Sequence, residues 1–254
     1  MKIARFALRG ETAYGLVDPG RAEVCLLEGT PFDGIRATEE VRALADVRLL
    51  APVLPSKIVA VGLIYRNHAR ELGLSIPAEP LIFLKAPSAL NHPGGDVVLP
   101  RVSRRVDPEA ELAVVIGRRA KDVKESDAPS VILGYACFND VTARDLQRKD
   151  GLYARAKGFD TFAPLGPWVE TDADPSSLGI RLFVNGEARQ DGNTREMEAS
   201  VFFLVEFISH IMTLFPGDVI ATGTPPGVGP VKDGDVMTVE IEGIGSLTNR
   251  VVAQ

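Results

Sequence analysis

Glu109 and Glu111 stand two residues apart at the head of Glu109-Ala110-Glu111-Leu112-Ala113-Val114-Val115-Ile116-Gly117. In a strand, residues i and i+2 share a face, so these carboxylates start roughly 6.5–7 Å apart at the backbone and can converge on one ion. The same spacing suits solvent-facing charges at a strand entrance. From Leu112, however, both faces are apolar, so the strand enters the core and its acidic end points into a semi-buried place. Carboxylates there are costly unless a cation or base compensates.

Other groups could join them. Asp140 ends a second apolar run and opens Asn139-Asp140-Val141-Thr142-Ala143-Arg144-Asp145-Leu146-Gln147. A strand end turning into a helix is a common place for ligand groups, and equally a place for helix capping by Asp140 or Asp145. Arg144 and Gln147, three apart, would project from one helix face, either toward a ligand or toward solvent. Tyr65 to Gly73 predicts a short helix with His68 and Glu71 at i and i+3. There the carboxylate could bond one ring nitrogen and raise the basicity of the other, a general-base arrangement, or simply form a surface ion pair. Lys157 lies in an irregular aromatic-rich stretch, and Thr222-Gly223-Thr224-Pro225 offers hydroxyls and accessible amides without the Gly-Lys-Ser/Thr ending of a phosphate loop. His92 reads as a loop residue and His210 falls off the apolar stripe of its helix, so neither receives a role.

The elements that must position these groups are mostly strands. The chain has 254 residues, of which 24 are Gly and 18 Pro, a density of turn formers that suits a β-rich fold with some helices better than a helix bundle. Strand-like runs are predicted at Lys2–Leu8, Thr12–Val17, Glu23–Leu27, Ile58–Gly62, Leu81–Lys85, Asp96–Leu99, Glu111–Gly117, Val131–Phe138, Ile180–Val184, Asp218–Ala221 and Val236–Ile241. Asn185-Gly186 signals a tight hairpin. A charged stretch from Thr38 to Leu50 reads as helical. So does Val201 to Phe215, whose apolar residues recur at three and four and which Pro216-Gly217 ends. Pro52 and Pro55 mark an extended linker, which predicts a small N-terminal domain over 1–52 and a main domain over 57–254.

Charge and cysteine content exclude several classes. With 28 Lys and Arg against 34 Asp and Glu, the net charge of −6 argues against a nucleic-acid partner but not against a small anion. No apolar run is long enough for a membrane span, and the amino-terminal residues do not resemble a signal peptide. Two cysteines in different contexts offer no disulfide framework or zinc cluster, so the expectation is a cytoplasmic protein with free thiols.

Taken in order, these stretches resemble the fumarylacetoacetate hydrolase family from about Lys57 to the C-terminus. The resemblance runs through Glu109-Ala110-Glu111-Leu112, Asn139 to Gln147, Lys157-Gly158-Phe159-Asp160-Thr161, Pro164-Leu165-Gly166-Pro167-Trp168, Val184-Asn185-Gly186-Glu187, Pro216-Gly217-Asp218-Val219-Ile220 and Thr222-Gly223-Thr224-Pro225. The first fifty residues look like the small N-terminal unit of many bacterial members.

The resemblance implies a mixed β-sandwich roll in a homodimer. It implies Glu109, Glu111 and Asp140 as metal ligands, and His68 and Glu71 as a catalytic dyad on a mobile lid. Lys157 would lie beside metal and substrate, with Arg144, Gln147 and Thr224 on the substrate's oxygens and Thr161 near the metal shell. An all-carboxylate ligand set selects a hard cation, Mg²⁺ or Mn²⁺ with Ca²⁺ admissible. The expected substrate is a small anionic 2-oxo acid with a β-carbonyl, such as an acylpyruvate or fumarylpyruvate, cleaved by hydrolysis of a C–C bond through a metal-bound enolate. The alternatives are decarboxylation of an oxaloacetate-like acid, or isomerisation of a 2-hydroxyhepta-2,4-diene-1,7-dioate in aromatic catabolism. A non-catalytic binding protein and a His-cluster oxygenase are disfavoured, the first by the complete set of groups and the second by histidines without ligand spacing.

Overall fold

The alternating runs of the first fifty residues fold as β1 (Lys2–Leu8), β2 (Glu11–Asp18), β3 (Glu23–Leu27), β4 (Ala37–Ala43) and β5 (Arg48–Leu50). The computed structural model describes all 254 residues. The expected helix from Thr38 to Leu50 is absent. In its place β4 pairs with β3 and β5 with β1, joined by a single 3₁₀ turn at Leu44–Asp46. Tertiary pairing overrides helix propensity here. Val47 and Leu49, two residues apart, both pack on a small cluster around Phe6 and Trp168, which is strand periodicity.

Further strands are β6 (Ile58–Gly62), β7 (Leu81–Lys85), β8 (Leu90–Asn91), β9 (Val97–Leu99), β10 (Val106–Asp107), β11 (Ala110–Ile116), β12 (Ile132–Asn139) and β13 (Thr142–Ala143). After them come β14 (Ala163–Glu170), β15 (Gly179–Val184), β16 (Glu187–Asn193), β17 (Val219–Ala221), β18 (Val236–Ile241) and β19 (Gly245–Ala253). The helices are α1 (Arg66–Glu71), α2 (Arg144–Asp150), α3 (Ala154–Lys157) and α4 (Val201–Ile211). Helix α4 stops short of the expected Phe215, because Leu214 leaves the helix to exchange backbone hydrogen bonds with Ala120.

A 12-stranded mixed sheet runs in the order β4-β3-β2-β1-β14-β12-β11-β17-β6-β7, with β5 and β8 attached to β1 and β14. The N-terminal strands therefore continue the main sheet through β1 and β14, whose register is Lys2↔Glu170 and Ile3↔Val169. A second sheet has the order β16-β15-β18-β19-β9. Its β15–β16 hairpin turns at Asn185-Gly186, where φ is +53° and +82°, the left-handed pair that a two-residue turn needs.

The main core lies between the sheets and under α4. Leu112, Val114 and Ile116 of β11 meet Ile180 and Leu182 of β15, Val239 and Ile241 of β18, and Leu204 and Ile208 of α4. The intervening residues Ala113 and Val115 join Ala60, Phe138 and Leu165 in a second core on the other face. A strand sealed on both faces gives side chains at its mouth little freedom to move, and Glu109 and Glu111 stand at that mouth.

Candidate active site

The opening of β11 is fixed by hydrogen bonds on both sides. The Glu109 N–H donates to Asn139 Oδ1 at 3.0 Å, and the Asp140 N–H donates to the Glu109 carbonyl at 2.9 Å. These bonds clamp the ends of β11 and β12 together and bring Glu109, Glu111 and Asp140 into one buried group. One carboxylate oxygen from each lies within 4.8 Å of the others.

Cations surround two of the three. Lys157 Nζ bridges Glu109 Oε2 at 2.8 Å and Asp140 Oδ2 at 2.5 Å. Arg144 Nη2 pairs with Glu109 Oε1, while its Nε holds Asp107 at 3.0 Å and its Nη1 holds Gln147 Oε1 at 2.8 Å. Lys85, at the end of β7 and 1% exposed, donates to Asp140 Oδ1 and to the Val141 carbonyl at 3.3 Å. Burial alone would raise the Glu109 carboxyl, but Lys157, Arg144 and His68 outweigh it and hold it well below the usual carboxylate range. Burial likewise works against the charge on Lys157, yet Asp140 and Glu109 raise its pKa and keep it an ammonium.

Glu111 is different. Its only hydrogen bond comes from the Gly223 N–H, at 2.9 Å, and no basic side chain is paired with it. Burial, then the neighbouring Asp140, push its carboxyl well above the ordinary value. Gly223 can approach because it is a glycine at φ +85°; a Cβ there would lie 2.6 Å from Ile64 Cγ2. A buried carboxylate with no ion-pair partner of its own, beside two others that offer only oxygen ligands, is what a hard divalent cation neutralises. The donor set fits Mg²⁺ or Mn²⁺ and lacks the thiolate or imidazole expected of zinc.

The triad lines a cavity of about 600 Å³ together with His68 and Glu71. His68, 5% exposed, sits in α1, and Gly73, at φ +70°, follows the helix's last turn. Its Nδ1 lies 3.1 Å from Glu71 Oε2, and Glu71 accepts the Gly227 N–H at 3.0 Å through Oε1. With Nδ1 facing a carboxylate that is itself held in place, Nε2 is left as the basic nitrogen, since no protein group bonds it. Arg66 grips Glu198 with two hydrogen bonds of 2.7 and 2.6 Å and so fastens the start of α1.

The remaining predicted residues fall in different places. Arg144, Gln147 and Thr224 line the cavity, but the Arg144 guanidinium is engaged by protein on three nitrogens. The Thr224 hydroxyl donates to the Ala110 carbonyl at 2.8 Å and accepts from Gln190 Nε2 at 2.8 Å. Both support the β11 mouth while lining the cavity, and the guanidinium keeps two N–H donors that no protein group accepts. Thr161 lies outside the cavity wall; its hydroxyl accepts the Val98 N–H at 2.9 Å. Lys85, Asp107 and Gln190 were not foreseen. Of these only Lys85 carried a local signal, a charge closing the apolar run Leu81-Ile82-Phe83-Leu84, much as Glu111 opens one.

Comparison with known proteins agrees with this geometry. Residues 57–252 match the model of the fumarylacetoacetate hydrolase C-terminal family, and residues 1–52 match an N-terminal family described as Rv2993c-like. The chain is 41% identical to 2,4-didehydro-3-deoxy-L-rhamnonate hydrolase of Sphingomonas sp., over 99% of this chain and 96% of that protein. It superposes on the crystal structure of 2-hydroxyhepta-2,4-diene-1,7-dioate isomerase from Mycobacterium marinum with a TM-score of 0.93 and 46% identity, covering 100% and 99% of the two chains. Maleylpyruvate hydrolase from Sphingobium sp., solved with manganese(II) and pyruvate, gives 0.83 and 33% with coverage of 100% and 99%. The match over residues 57–252 and the identity to these enzymes along the whole chain lead to one conclusion: the chain is an enzyme of the fumarylacetoacetate hydrolase family.

Proposed function

We propose that this enzyme hydrolyses a carbon–carbon bond in 2-oxo acids that carry a β-carbonyl, using a divalent cation held by Glu109, Glu111 and Asp140. The observation that carries the reading is the shared cavity, with a buried carboxylate group on one wall and a histidine backed by glutamate on another. Glu109, Glu111 and Asp140 would hold the cation, which would supply Lewis-acid stabilisation of negative charge developing at the 2-oxo acid end of the substrate.

The protein's own groups supply the rest. His68 Nε2 accepts a proton from water while the water oxygen bonds the distal carbonyl carbon, and Glu71 stabilises the imidazolium that results. The bond between C3 and C4 then breaks with its electron pair going to C3, and the proton held on His68 returns to the departing fragment. Lys157, kept charged by Glu109 and Asp140, stands ready to stabilise the anion at this stage. The relative from Sphingomonas supports the reading, since its name denotes hydrolysis of a 2,4-dioxo acid.

A second reading keeps the site and changes the reaction. The Mycobacterium marinum isomerase supports it, because a histidine that moves a proton between carbons needs no attacking water. Acylpyruvates, oxaloacetate and a 2-hydroxyheptadienedioate assayed with Mg²⁺ or Mn²⁺, and again with chelator, separate the two. Metal-dependent release of pyruvate from an acylpyruvate is expected. Metal-dependent isomerisation without any hydrolysis would replace the first reading with the second.

A further inference from the structure

Helix α2 carries more than Arg144 and Gln147 to the cavity. Arg148 and Gly151 line it too, so the face at positions 144, 147, 148 and 151 runs along one wall. Arg144 marks the inner end of that face, because it touches Glu109 of the triad. Arg148 stands one helical turn farther along, about 5.4 Å. The other two cations on the wall, Arg144 and Lys157, are held by buried carboxylates. The Arg148 side chain forms no ion pair and no hydrogen bond with protein, although two acidic residues, Asp145 and Asp150, lie within five positions of it and Glu109 lies on the same wall. Asp145 is occupied by the Ser103 hydroxyl and the Arg104 N–H, Asp150 by Arg155, and Glu109 by Arg144 and Lys157.

The wall beside Arg148 is aromatic. Tyr153 follows α2 and meets Phe83 edge to face, with ring centroids 4.8 Å apart, and both rings line the cavity. A substrate whose 2-oxo acid end lies at the triad would pass its far end along these rings toward a cation with no partner. We infer that Arg148 binds a second carboxylate at the far end of the substrate, so that the enzyme prefers dicarboxylic 2-oxo acids to monocarboxylic ones of equal length. The inference rests on the proposed hydrolysis at the triad and narrows its substrate class. A guanidinium suits the role because its planar fork can take a carboxylate through two parallel hydrogen bonds.

The test compares 2,4-dioxoheptanedioate with 2,4-dioxoheptanoate, which differ only in the terminal carboxylate. Hydrolysis of the first gives pyruvate and succinate, and of the second pyruvate and butanoate. The wild-type protein should favour the dicarboxylate by roughly tenfold to a hundredfold in kcat/KM, the scale of one charge-assisted contact. Arg148→Gln should remove that preference through KM while leaving kcat/KM for the monocarboxylate within about twofold, and Arg148→Lys should restore part of it. Raising the salt concentration should weaken only the dicarboxylate, since Arg148 is exposed. Equal kcat/KM for the two acids in the wild-type protein, or equal losses for both in Arg148→Gln, would make Arg148 an ordinary solvated side chain. Those results overturn this inference alone. Absence of metal-dependent cleavage of either acid overturns the hydrolytic reading beneath it.

Discussion

Lys85 and Lys157 hold opposite oxygens of the same carboxylate, Lys85 on Oδ1 of Asp140 and Lys157 on Oδ2. They arrive from β7 and α3, elements about seventy residues apart in sequence that the fold brings side by side. Each extends a buried amino group into the acidic group, so Asp140 cannot rotate without breaking a contact; burial pulls the Lys85 pKa below its ordinary value, and Asp140 opposes that shift.

Replacing Lys85 by Met should therefore do more harm than its distance from the substrate suggests. It leaves a buried carboxylate with one partner fewer, a change that costs about 3–5 kcal/mol when a buried pair is broken. Denaturant unfolding of the metal-free protein measures it. A midpoint equal to that of wild type would show that the Lys85–Asp140 pair adds nothing to the fold.

Glu111→Gln should separate metal binding from folding. With no ion-pair partner, Glu111 has a carboxyl pKa raised by burial and Asp140, which outweigh Lys157. A folded value above the unfolded one, about 4.3, destabilises the fold as pH rises past the unfolded value. In the presence of chelator the variant should thus melt at or above the wild-type temperature at pH 7, an advantage that fades toward pH 4. Mn²⁺ titration should show affinity down by on the order of a hundredfold or more, since even residues that only support a ligand cost about 10–100-fold. A clearly lower melting temperature in chelator at pH 7 would contradict the absence of an ion-pair partner.

His68→Ala should reduce acylpyruvate hydrolysis by about 10²–10⁴-fold, the usual contribution of a general base. Decarboxylation of oxaloacetate, which needs no activated water, should fall far less. Glu71→Gln should give a smaller loss in the same direction, because Gln still fills the place beside Nδ1 without stabilising imidazolium. Equal losses in both reactions would remove the base role from His68.

Where the first strands join the main sheet, Lys2 Nζ pairs with Glu170 at 2.7 Å. Burial would raise the Glu170 carboxyl, but Lys2 and the Asp172 N–H outweigh it and leave it below its usual range. A folded value below the unfolded one adds stability above about pH 4.3 that is lost as pH falls through the folded value. Glu170→Gln should thus cost about 1 kcal/mol at pH 7, discounted for partial exposure, and nothing at pH 2. Urea unfolding at the two pH values checks the difference, and a penalty that persists in acid would point to packing instead.

Much of this was legible in the sequence. Acidic residues at the mouth of a doubly apolar strand, and a histidine one turn from a glutamate, are local patterns, and the structure brings both to one cavity. Lys85 carried the same kind of signal as Glu111, but its partner Asp140 is 55 residues away and no spacing announces it. Asp107 and Gln190 have no pattern at all, because their importance comes from what crosses them in space. Arg144 and Thr224 show the opposite problem. Their positions beside the cavity were foreseeable, whereas the hydrogen bonds that hold them there depend on Asp107, Ala110 and Gln190. The stretch from Thr38 to Leu50 misled because helix-forming residues there are recruited as partners by strands already in place.

Strand β17 separates β11 from β6 and is the only strand on the main path that joins them. Its register sets Val219 against Ile58, and the loop after it delivers the Gly223 N–H to Glu111. During synthesis, then, all three acidic groups leave the ribosome long before the strand that seats them. For that interval Glu109, Glu111 and Asp140 belong to a chain with no finished pocket, able to meet ions only loosely. The gathering of the three carboxylates into one buried group is a property of the completed molecule, acquired near the end of its making.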